Sequence, residues 1–130
     1  MGFNAGGTNV GGVQSIEQGN LIVNSSNIAT PTVSLNGTDF IVPAGKRWIF
    51  KASSHTSSSL TATITEVQTV VEVSGIKQIL KLSTGNSKVE YMSYLPLLLK
   101  AGDKIIMQTQ LSAYTSGNIT HNILYQELDS

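Results

Sequence analysis

The stretch LTATITEVQTVVEV (60–73) decides the fold. Leu60, Ala62 and Ile64 occupy even positions, whereas Val67, Val71 and Val73 occupy odd ones. Side chains along a β-strand alternate between two faces, so one regular strand cannot bury both sets together. The apolar face must therefore change sides between Ile64 and Val67. A bulge achieves this, as does a strand that bends from one sheet into another, and both belong to β-sandwiches and barrels.

Directly after this stretch, Ser74-Gly75 has the composition of a two-residue hairpin turn. Folding the chain there sets Val73 against Ile76, Val71 against Gln78, Thr69 against Leu80 and Val67 against Leu82. The opposite face pairs Glu72 with Lys77, Val70 with Ile79 and Gln68 with Lys81. Unlike charges facing each other favour this register. Val70 and Ile79 form an apolar pair on a face that is otherwise polar.

Outward from the hairpin, short alternating runs recur between turn residues. Towards the N-terminus, LIVN (21–24), TVSL (32–35) and DFIV (39–42) read as strands. Pro43-Ala44-Gly45 turns the chain into a strand over Lys46–Ser53. SSHTSSS (53–59) reads as a polar loop. Towards the C-terminus, Lys88–Leu95 alternates, and Pro96 confines the LPLLL segment to a sheet edge or strand end. After the turn Lys100-Ala101-Gly102-Asp103, a strand carries Ile105, Met107, Thr109 and Leu111 on one face. SAYTSGN (112–118) reads as a loop before a last strand, Ile119–Leu128. No helix longer than a turn is expected. The pattern predicts an all-β, antiparallel β-sandwich of about eight strands over residues 20–130, with Trp48, Phe50, Val71, Leu80, Ile105 and Met107 in its core. Residues 1–19, rich in Gly and Asn, read as an extended N-terminal arm whose only apolar anchors are Phe3, Val10, Val13 and Ile16.

The 130 residues carry a formal net charge of zero, with 8 basic and 8 acidic side chains. That balance argues against a nucleic-acid surface, which needs clustered Lys and Arg. The 16 Ser and 13 Thr give a neutral polar surface instead, and without Cys there is neither a disulfide framework nor a thiolate metal site. No run approaches the roughly 20 apolar residues of a membrane span. The opening MGFNAGGTNVGG lacks the parts of a signal peptide, so synthesis in the cytoplasm is the expectation.

Candidate chemistry is sparse. His55 and His121 have no Cys, Asp or Glu at ligand spacing, so no metal or other cofactor is expected. His55 reads as a solvated loop residue and His121 as a hydrogen-bonded strand residue. Ser57–Ser59 beside His55 lack the strand–turn–helix context of a nucleophile. Glu66, Glu72, Glu90 and Asp103 are scattered, each with a basic neighbour or a turn role, which does not suit paired-carboxylate catalysis. No residue set suggests an enzyme. Trp48 and Phe50 alternate with Arg47, Ile49 and Lys51 and read as core. Tyr114 is the best candidate for an exposed ring.

Residues 39–128 resemble the small jelly-roll virion proteins of tailed bacteriophages. The resemblance rests on FIVPAGKRWIF (40–50), LLLKAGDKIIM (97–107), the Ser/Gly turn after them and the closing NITHNILYQELD (118–129). It implies a jelly roll, a virion location and a homotrimer with no catalytic residues. The first expectation is a head decoration or cement protein contacting the major capsid protein or other virion proteins. Its contacts with itself or the capsid would run through Phe3, Val10, Val13, Ile16, Val70 and Ile79. The alternative is a tail or fibre module that recognises a host-surface glycan through residues 53–59 and 112–118, with His55 and Tyr114 as receptor contacts.

Overall fold

The computed structural model describes residues 20–84 and 89–130, giving backbone alone at residues 81, 83–84 and 89–95. The expected arm, with Phe3, Val10, Val13 and Ile16, lies outside the described residues. Six antiparallel strands account for most of the rest: β1 (Asn20–Ile28), β2 (Asn36–Ile41), β3 (Lys46–Val73), β4 (Ile76–Thr84), β5 (Val89–Lys100) and β6 (Lys104–Asp129).

Two strands are exceptionally long, β3 with 28 residues and β6 with 26, and they pair from Lys46↔Asp129 to Glu72↔Lys104. Each half of this ribbon has its own flanking strands. β1 pairs with residues 119–127 of β6, and β5 with residues 47–56 of β3. β2 pairs with residues 104–109 of β6, and β4 with residues 66–73 of β3. One half-sheet thus reads β1–β6–β3–β5 and the other β2–β6–β3–β4.

The ribbon doubles back on itself. Ser53 and Thr69 are 16 residues apart on β3, yet their hydroxyls lie 2.9 Å from each other. A straight strand would separate them by about 53 Å. The fold-over is built where the register slips, between Ser58 and Thr61, Thr61 and Thr63, and Ile64 and Glu66. Ser59, Ala113 and Gly117, all in this region, have φ of 49°, 54° and 98°. The last slip is the change of face expected between Ile64 and Val67. Ile64 pairs with Leu111 and Glu66 with Gln110, which leaves Thr65 as the extra residue. Both Ile64 and Val67 are buried as a result.

SSHTSSS and SAYTSGN are therefore not loops, as their composition suggests, but parts of β3 and β6. TVSL is not a strand either. The Asn36 side chain holds this connection, donating to the Thr32 and Ser34 carbonyls and accepting from the Thr32 amide.

Ser74 and Gly75, with φ of 52° and 81°, form the expected hairpin turn. Pairing follows the expected register from Val73↔Ile76 to Val70↔Ile79, including Glu72↔Lys77. Beyond that a bulge at Leu80 sets Thr69 against Lys81 and Gln68 against Leu82, which corrects the remaining pairs. The buried Asp103 ties this turn to the later one at Lys100–Asp103. Its carboxylate accepts from the Ser74 amide at 3.2 Å and the Lys100 amide at 3.0 Å. β5 is an edge strand, so Pro96 costs no ladder bond to a further strand.

The main core joins residues from both half-sheets: Trp48, Phe50, Leu99, Ile123 and Tyr125 from one, Phe40, Val71, Ile105 and Met107 from the other. Trp48 stacks on Tyr125 with ring centroids 3.9 Å apart, and its Nε1 donates to Glu127 at 3.0 Å. Leu80 is half-buried against this cluster. A smaller cluster of Ile64, Val67, Leu111 and Ile119 fills the fold-over end.

Candidate functional site: a buried histidine belt and two outer sheet faces

Between the two apolar clusters lies a polar layer. Three strand segments cross it with the same pattern: Val67-x-Thr69-x-Val71, Met107-x-Thr109-x-Leu111 and Ile119-x-His121-x-Ile123. The period of two puts all three residues of each set on the inner face, so the middle one must be buried. After the slip between Phe50 and Ala52, Ser53 pairs with Ile123 and His55 with His121, which places both on the same inner face.

Every member of this belt is nearly or fully inaccessible, and a buried polar group is tolerated only with a partner. His121 Nδ1 lies 2.9 Å from the Thr38 hydroxyl and Nε2 lies 2.8 Å from the Thr109 hydroxyl. These contacts join β2 and the first half of β6 to its second half. The Ser53–Thr69 bond makes the equivalent link within β3. Burial, and secondarily the neighbouring His55, hold the His121 pKa down to about 4 from its ordinary 6.5.

The outer face of the β2–β6–β3–β4 half-sheet carries the second feature. Register places Asp39, Ile106, Val70 and Ile79 in one row across all four strands. The adjoining row is Ile41, Lys104, Glu72 and Lys77. Lys104 reaches Asp39 at 3.9 Å. Val70 and Ile106 sit in an open depression lined also by Gln68, Lys77, Gln78 and Gln108, and Ile79 at its edge is 53% exposed. The other half-sheet also shows apolar side chains outward. Leu21 and Val23 of β1 and Leu98 of β5 are exposed, with Ile49 between Leu21 and Leu98 in the register. Beyond them this face turns neutral and polar, with Ser25 bonded to Asn122 and Asn27 to Thr120.

The expected site residues fare differently. Val70 and Ile79 do stand opposite each other on an outer face, although Val70 is largely covered. His55 is not a solvated loop residue: at 1% exposure it belongs to the belt and is out of a receptor's reach. Tyr114 is half-buried against the fold-over cluster and its hydroxyl donates to the Gly117 carbonyl, so the ring is not the free platform expected. The sequence reading missed Ile106, which completes the outer row, and the hydroxyl partners of His121. The apolar–polar–apolar spacing at 67–71, 107–111 and 119–123 was the available signal for the belt.

Among the described residues no three His, Cys, Asp or Glu side chains group as a metal ion would need, and no helix is long and apolar enough to cross a membrane. The sequence matches no protein-family model, and none of the curated proteins searched is significantly similar to it.

Proposed function

We propose that the chain is a non-enzymatic structural protein of a bacteriophage virion, a jelly-roll module that decorates the capsid and clamps neighbouring subunits. The observation that carries this reading is the pairing order. Counted by halves, β3 and β6 supply four strands, and the total becomes eight in two four-stranded layers, β1–β6–β3–β5 and β2–β6–β3–β4. We read a folded antiparallel ribbon with this order as a jelly roll, an architecture shared by viral capsid and lectin domains. Fold alone does not choose between those uses, so the surface must. Here the outward apolar residues lie in rows on sheet faces, which suits broad contact with a protein surface. The glycan reading rests on His55 and Tyr114, of which one is buried and the other engaged in the fold-over.

In this reading the protein assembles as a homotrimer, and the exposed Ile79, beside the covered Val70 and Ile106, contacts a neighbouring copy or the major capsid protein. Added buried area across capsid joints would resist their parting under internal pressure. The test is co-sedimentation of the full chain with heads and, separately, with tails of the virus that encodes it. Binding to heads is expected, and Ile79→Asp should weaken it at least about tenfold while leaving circular dichroism unchanged. Binding to tails alone, or to neither, would overturn the decoration role.

A further inference from the structure

We propose that the histidine belt makes closure of the two half-sheets proton-dependent, so that acid loosens the joint between them. Neutral His121 donates from one ring nitrogen and accepts at the other, and the two hydroxyls it bonds, Thr38 and Thr109, sit on the opposing half-sheet. A proton on the accepting nitrogen turns that hydroxyl from donor to acceptor. Its hydrogen must then find another partner in an interior that offers few, and a charge is left between two apolar clusters.

The surroundings offer that charge little relief. β2 and the first half of β6 present Thr38 and Thr109 to the ring, and β1 sets Ser26 opposite His121 in the register. β3 sets His55 there, and a charge on that ring would repel one on His121. One strand further, β5 places Glu90 opposite His55. Closing the half-sheets therefore requires His121 to shed its proton, whereas the opened chain holds one at the ordinary histidine value. Stability is complete above pH 6.5 and falls as pH drops from there towards 4.

Denaturant unfolding of the full chain at pH 7 and pH 5 reads this directly, above the range in which unfolded carboxylates titrate. The folded-to-unfolded ratio should drop about 20-fold between the two. In His121→Gln, whose amide can bond both threonines without titrating, the drop should shrink below about threefold. A drop of the same size in the variant would assign it to other groups and overturn the proposal. NMR titration of the His121 ring in the wild-type chain needs no variant. The ring should remain neutral at pH 5, and a midpoint near 6.5 would equally overturn it.

Discussion

Gly117 shows how much of this fold hangs on single backbone positions. Its φ of 98° is costly for any residue with a Cβ. A Cβ there would lie 2.4 Å from Leu60 Cα and from the Ser59 carbonyl oxygen, both backbone atoms that cannot rotate away. β3 and β6 turn the corner together at this point, with Ser58 opposite Asn118 and Thr61 opposite Ser116. Gly117→Ala should therefore cost about 2 kcal/mol or more and lower the melting temperature by about 6 °C or more. The same change at Gly45, also at positive φ but with open space around it, should cost less. Thermal melts of the two variants compare clash plus strain with strain alone.

At the scale of elements, the bulge at Thr65 sets which side of β3 faces inward. Thr65 lacks a register partner on β6, and its hydroxyl donates to the Gln110 carbonyl at 3.1 Å. Removing it would restore continuous alternation through the corner. With Thr65 gone, Glu66 would follow Ile64 directly, so the pairs Ile64↔Leu111 and Glu66↔Gln110 could persist and Val67, Thr69 and Val71 would keep the inner face. The bond from Thr65 to the Gln110 carbonyl would be lost, but no charged side chain would turn inward. Deletion of Thr65 should thus leave the near-ultraviolet circular dichroism of the packed Trp48–Tyr125 pair close to native, as should Thr65→Ser. A deletion variant that lost the near-ultraviolet signal would show that the bend at the bulge, and not inward parity alone, is needed to close the core.

For the whole molecule, the governing feature is the sequence distance between paired strands. Lys46, which bonds Asp129 at 2.7 Å, lies 83 residues from it. Even the innermost ribbon pair, Glu72↔Lys104, encloses β4 and β5. Loop closure must precede nearly every stabilising contact between β3 and β6, and topologies of this kind fold slowly. Stopped-flow refolding should accordingly take about milliseconds to seconds. Completion within tens of microseconds would mean that the ribbon does not form last. The local β3–β4 hairpin, closed by Ser74-Gly75, is the natural element to form first, since its pairs are few residues apart.

By itself the sequence determined what adjacent residues can settle. The parity of 60–73 located the bulge between Ile64 and Val67, the Ser74-Gly75 turn fixed the first hairpin pairs, and alternation around Trp48 and Phe50 assigned them to the core. Each is a local consequence of the two-residue strand period or of turn chemistry. Tertiary structure decided the fate of the polar runs. SSHTSSS and SAYTSGN have loop composition, yet they form strand because each finds backbone partners on the other long strand, some 60 residues away. Nothing near His55 in the chain announces its burial, and His121 stays uncharged in an interior shared with Thr38, 83 residues distant, and Thr109, 12 distant. The second hairpin register likewise depended on how Leu80 packs against a core assembled from other strands. Whether a polar side chain belongs to solvent or to the interior depends on its partners, and those are chosen only when the ribbon folds over.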